Sequence, residues 1–192
     1  VCPIGKLRTD KIGDVLTSAH HYPGDITMRQ LACSIALSLA FALPAHAQET
    51  PGAALDALYD VISGPVGEAR DWERFRSLFL PGAQMSVVVT DAEGNERVVV
   101  LSLEDYVERN GPRLTEIGFT ETETRRETFL YGGMATILSA YEAIRADTGE
   151  TIAVGVNSLT ILNDGGTWKI ASIAWRAADE AWPVERAFER AE

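Results

Sequence analysis

The chain has 192 residues, with 28 Asp and Glu against 17 Lys and Arg, for a net charge of −11. That length suits one domain with a sizeable core, and the acidic balance without a basic run speaks against the phosphate contacts that dominate nucleic-acid binding. Both cysteines (Cys2, Cys33) and all three histidines (His20, His21, His46) precede residue 48, so the remainder has no disulfide, thiol nucleophile or histidine base, and lacks most zinc or copper ligands.

Residues 1–27 are polar, without periodicity, and read as an upstream extension of the reading frame with no working role. Met28-Arg29-Gln30 then opens a short apolar run, Leu31 to Leu43, that ends in Pro44 and Ala45-His46-Ala47. A positive start, a short hydrophobic stretch and an A-x-A site are the marks of a secretory signal peptide, 28–47. The run is shorter than the roughly 20 residues that a membrane-spanning helix needs. Cleavage before Gln48 predicts a periplasmic or secreted protein, with no stable membrane insertion afterwards and a single domain over 48–192. That segment holds 25 acidic and 13 basic residues, a net charge of −12.

After a loose start, the apolar spacing of Ala54, Leu55, Leu58, Val61 and Ile62 predicts a helix over 53–62, ended by Ser63-Gly64-Pro65. Asp71 is placed to cap a second helix over 72–79, with Trp72, Phe75, Leu78 and Phe79 on one stripe and Pro81-Gly82 closing it. Residues 84–90 and 96–101 read as a short hairpin. Ser102 with Asp105 three residues on predicts a capped third helix burying Leu103, Tyr106 and Val107, stopped near Asn110 by Gly111-Pro112.

From Phe119 to about Arg176 the chain reads as four long antiparallel strands. Turns fall at Tyr131-Gly132-Gly133-Met134, Asp147-Thr148-Gly149-Glu150 and Asn163-Asp164-Gly165-Gly166-Thr167. The tail, 177–192, carries Trp182, Val184 and Phe188 and predicts a short helix folding back. Helices segregated from an antiparallel sheet define an α+β domain, in which a curved sheet wraps the helices and leaves a cone.

Two-residue loops at Thr148-Gly149 and Gly165-Gly166 would set Glu142 opposite Gly155, and Gly155 opposite Arg176. Glu142, Asn157 and Arg176 then share a face with Trp168, Ile170, Leu159, Ile161, Leu138 and Met134. A carboxylate, an amide and a guanidinium converging on an apolar face suit a ligand pocket. A Glu142–Arg176 salt bridge with no chemistry is the plainer alternative. Tyr106, Trp168 and Tyr141 are candidate ligand contacts, and Trp72, Tyr106 and Trp168 equally suit simple core packing. A three-residue final loop would instead bring Trp175 to that face, because a one-residue slip exchanges the faces.

The order of elements, with Tyr131-Gly-Gly-Met-Ala, Ser139-Ala-Tyr-Glu142, Gly155-Val-Asn-Ser-Leu159 and the Asp164 to Trp175 run, resembles the nuclear transport factor 2-like superfamily, and within it SnoaL-like bacterial proteins. The resemblance implies a cystatin-like cone that binds a small apolar or amphipathic molecule and a homodimer through the sheet. It also admits a ketosteroid isomerase-like isomerase, dehydratase or cyclase with Glu142 as the carboxylate base, or a structural module with a filled cone. No metal or organic cofactor is implied.

Overall fold

The computed structural model describes residues 48–91 and 93–189. The signal-peptide reading and the upstream segment lie outside the described residues. Helix α1 (Pro51–Ile62) begins two residues earlier than its apolar spacing suggests. Thr50 caps it, accepting the Ala53 N–H at 3.0 Å, and Pro51 occupies a first-turn position that needs no N–H. Asp71 caps α2 (Trp72–Ser77) through the Arg74 N–H. A reciprocal Ser102–Asp105 capping box starts α3 (Leu103–Ile117).

Helix α3 runs through Gly111-Pro112, where the sequence suggested a stop. Pro112 removes only the hydrogen bond to the exposed Glu108 carbonyl, while Leu114 and Ile117 beyond it are buried. Gly111 earns its place by contact: a Cβ there would lie 3.2 Å from the Trp72 ring. The helix stops instead at Gly118, whose φ of +60° and contact with the Val66 backbone admit no side chain.

Six strands form one sheet: β1 (Phe79–Thr90), β2 (Glu96–Leu101), β3 (Phe119–Tyr131), β4 (Met134–Arg145), β5 (Thr151–Asp164) and β6 (Thr167–Ala177). Their order is β2-β1-β6-β5-β4-β3. Strands β3 to β6 form the expected antiparallel meander, but the sheet is mixed, because β1 pairs with β6 in parallel. The curved sheet and its helices make the α+β cone. Phe75, Leu55, Ile137, Leu159, Ile161 and Ile170 are fully buried between them.

The register differs from the expected one at two points, each with a local cause. The β4–β5 loop holds four residues, closed by the Arg145 N–H to the Glu150 carbonyl, and Ile152 is an extra residue in β5. Glu142 therefore faces Val154, and Tyr141 takes the place opposite Gly155. The Gly165-Gly166 loop has two residues as expected, but β6 bulges at Ala171, so Asn157 faces Trp175 and Arg176 faces Val156. Each odd shift exchanges the faces of a strand. Ser139, Tyr141 and Ala143 point into the cone, while Met134, Leu138 and Glu142 point out.

Two further devices tie the helices to the sheet. Arg70, only 6% exposed, donates to four backbone carbonyls: Ile62 (2.9 Å), Gly64 (2.7 Å), Glu68 (2.6 Å) and Leu114 (3.0 Å). After β6 the chain crosses the outer face to a single 3-10 turn, Val184–Phe188, where the Arg125 guanidinium sits 4.2 Å from the Phe188 ring centroid.

Candidate functional site

A cavity of about 230 Å³ opens between the helices and the inner face of the sheet. Its walls are mostly apolar, with Leu58, Ile62, Phe75, Leu114 and Ile173 among them. That falls below the roughly 300–1,000 Å³ of pockets that hold drug-sized ligands, so the space suits a smaller molecule.

The polar residues that line this space are Glu121, Tyr141 and Asn157 from three strands and Tyr106 and Asn110 from α3, and hydrogen bonds join Tyr59 and Ser139 to Asn157 behind them. On β3, period-two alternation from the buried Phe119 turns Glu121 and Glu123 inward, although the run Thr120-Glu-Thr-Glu-Thr124 looks solvent-facing. A bulge at Thr124 keeps Arg126 on the same side. The Glu121 backbone is pinned where α1 ends, its N–H donating to Ser63 Oγ at 3.1 Å. Tyr59 follows Leu55 by one helical turn on the buried face of α1. Ser139 and Tyr141 project from β4 and Asn157 from β5, and Tyr106 enters from α3, stacked on Phe75 at 5.4 Å.

One hydrogen-bonded chain links most of these groups. Asn157 Nδ2 donates to Glu121 Oε1 at 3.2 Å and to the Tyr59 oxygen at 3.1 Å. The Tyr59 hydroxyl pairs with Ser139 Oγ at 2.7 Å, and Ser139 donates onward to Glu123. Glu123 is held by Arg126, which also reaches Asp56. Burial pushes the Glu121 carboxyl up to about 7 against the opposing Asn157 hydrogen bond. Burial also raises the phenols: Tyr59 to about 12, and Tyr106 and Tyr141 further, with the Glu121 charge adding to both. A carboxyl poised near neutrality beside protonated phenols can take a proton from, or return one to, a bound molecule.

Of the residues picked out from sequence, Asn157, Tyr106 and Tyr141 line the cavity together. Glu142 faces the opposite side, where it accepts the Thr151 hydroxyl at 2.7 Å. Arg176 also lies outside, bonded to Glu96 at 2.8 Å and Asp179 at 2.7 Å, so the supposed Glu142–Arg176 pair does not form. Trp168 is buried nearer the last turn, with its N–H on the Gln48 carbonyl at 2.9 Å, and does not reach the cavity. Tyr59, a phenol the sequence offers, and Ser139, which shares the Tyr141 face, join the site through hydrogen bonds, and Glu121 is the site residue that the sequence did not single out. The signal for Glu121 was present in its shared parity with Phe119. Among the described residues, no group of three or more His, Cys, Asp or Glu is placed to hold a metal ion.

No protein-family model matches the sequence, and no curated protein matches it closely enough to count as a relative. Solved structures do match the fold. A cystatin-like protein of unknown function from Nostoc punctiforme aligns with a TM-score of 0.51 at 8% identity, covering 66% of this chain and 87% of its own. A proposed dehydratase of the NTF2-like family from Streptomyces avermitilis gives 0.52 at 15% identity, over 69% and 96%. The beta subunit of a proposed aromatic-ring-hydroxylating dioxygenase from Novosphingobium aromaticivorans gives 0.51 at 17% identity, over 69% and 89%. The fold is therefore the NTF2-like, cystatin-like cone, a scaffold that serves many unrelated functions.

Proposed function

We infer that this domain binds a small, neutral, largely apolar molecule in its cone and exchanges a proton with it through Glu121. The observation that carries this reading is the Glu121 carboxyl, raised to about 7 within an apolar cavity. The lining contains no Lys or Arg, which disfavours an anionic ligand. The Tyr106 and Tyr141 phenols are suited to donate to a carbonyl-type oxygen while Glu121 takes a proton from the adjacent carbon. Such a step opens isomerisation and dehydration alike. Likeness to a proposed dehydratase agrees with that range.

The test is α-proton exchange of neutral, single-ring enones in deuterated buffer, followed by proton NMR. The expected result is exchange with the parent and its loss in Glu121→Gln. Binding of the panel without exchange in either protein would favour a plain binder, and equal exchange in both would remove Glu121 from the chemistry.

We also read the chain as exported and cut after Ala47. Gln48, the residue such a cut would make the first, is buried and accepts the Trp168 N–H through its carbonyl, so the cut leaves that contact intact. Pairing of two copies through the outer sheet face is supported by its chemistry. Small side chains (Ser86, Ala174, Ser158) run across it, flanked by exposed Val98 and Val100 on β2 and Phe129 on β3.

A further inference from the structure

We propose that Ser139, with the Glu123–Arg126–Asp56 cluster behind it, is a positioning residue that holds the Asn157 amide with its N–H, and not its carbonyl, toward Glu121. The inference rests on the reading of Glu121 as the acid–base group of the site. It follows from counting donors. Arg126 Nε lies 2.9 Å from both Glu123 oxygens, and the same guanidinium reaches Asp56, so Glu123 is an ionised carboxylate with only acceptors to offer. Ser139 must spend its one proton on Glu123, and its lone pair then accepts the proton of Tyr59. The Tyr59 oxygen, its proton used, can only accept, and takes one N–H of Asn157. The second N–H of that nitrogen is left for Glu121.

Every bond in the chain is thus oriented from its anionic end. Turning the amide by 180° would set its carbonyl against the Tyr59 lone pairs and against the Glu121 carboxylate, so the chain selects one orientation of the amide. The anchor itself is built into α1, where a Cβ on Gly52 would lie 2.6 Å from Arg126 Nη1. The groups facing Glu121 are Tyr59 from α1, Tyr106 from α3, Tyr141 from β4 and Asn157 from β5. Glu123, two residues along β3, is balanced by Arg126.

Removing the Ser139 hydroxyl frees the Tyr59 proton to turn toward Asn157, which lets the amide reverse. Glu121 then meets a carbonyl and pairs with it only when protonated, so its pKa rises. The experiment is a carbon-13 NMR titration of the mature protein labelled at the glutamate carboxyl carbon, with Glu121→Gln assigning the resonance. Ser139→Ala is expected to raise the Glu121 midpoint by roughly one pH unit, the scale of a lost hydrogen bond to a charge, and Ser139→Thr to restore it. The Ser139→Ala shift should be smaller in a Tyr59→Phe background, because both act through one chain.

An unchanged or lowered midpoint in Ser139→Ala, or full additivity with Tyr59→Phe, overturns the proposal. If no glutamate titrates near neutrality in the parent, the acid–base reading itself fails. The Asn157 side-chain amide protons then decide the positioning separately. A change in their nitrogen-15-edited signals in Ser139→Ala supports it, and unchanged signals overturn it.

Discussion

Tyr141 crosses directly over Gly155, its partner on the neighbouring strand. A Cβ on Gly155 would lie 2.7 Å from the phenolic oxygen and 2.4 Å from the Arg176 carbonyl on the other side. The missing side chain is what gives the Tyr141 phenol its room. Gly155→Ala must therefore displace both the ring and the backbone of β6. We expect a loss of about 2 kcal/mol in urea unfolding, the scale of overpacking a core, together with weaker binding of any cavity ligand in a thermal-shift assay. An unaltered unfolding midpoint would show that the strands give way at no cost.

The buried Glu121 carboxyl makes stability depend on pH in a defined direction. Its folded-state pKa of about 7 stands above the ordinary 4.5. Between those values the unfolded chain releases the proton while the folded chain keeps it, so the group's contribution falls as pH rises and levels off above 7. Glu121→Gln should match the parent near pH 4 and exceed it at pH 8 by up to about 3 kcal/mol. Chemical denaturation at the two pH values checks this, and a variant less stable at both would contradict it.

Arg70 is held by four carbonyls and no carboxylate, joining the C-terminal ends of α1 and α3 to the loop between α1 and α2. Gly64 gives the guanidinium its room, since a Cβ there would lie 2.6 Å from Nη1. Arg70→Met leaves several buried acceptors without donors, at about 1–3 kcal/mol each. We expect a drop of at least about 3 kcal/mol in stability, with an unchanged denaturant slope. Arg70→Lys should recover only part of it, because an ammonium cannot span the four acceptors with a planar fork.

If two copies pair through the outer sheet face, charge placed on that face should separate them. Val100→Asp combined with Phe129→Asp, both exposed, is expected to give a monomer by analytical ultracentrifugation where the parent gives a dimer. The far-ultraviolet circular dichroism should remain unchanged. A parent that is monomeric at high micromolar concentration would remove the pairing.

The turn glycines and the alternation of the strands made most of the fold legible. Thr148-Gly149 and Gly165-Gly166 mark the hairpins, and Ser102 and Asp71 mark helix starts. Which face each residue occupies was far less legible. The bulges at Thr124, Ile152 and Ala171 have no local signature, because an extra residue in a strand is selected by packing across the sheet rather than by its own chemistry. Glu142 was set in the cone for that reason, whereas Glu121, with no bulge between it and Phe119, was hidden by the polar Thr-Glu alternation around it. Tyr59 carried a different difficulty. Its helical spacing announces burial, but nothing in the sequence of α1 tells that its hydroxyl meets Ser139 and Asn157, 80 and 98 residues further along.

The parallel seam between β1 and β6 has a consequence for the order in which the molecule comes together. The meander from β3 to β6 joins neighbours in sequence and closes through short turns, whereas Met85 waits for Ile173, far along the chain. Loop-closure entropy places such a distant pairing late. Glu121, Tyr141 and Asn157 all belong to the early half, and Met85 to the half that docks last. Burial is what raises the Glu121 carboxyl toward neutrality, so that displacement is a property of the assembled cone, walls from helices and sheet together, and not of β3 alone.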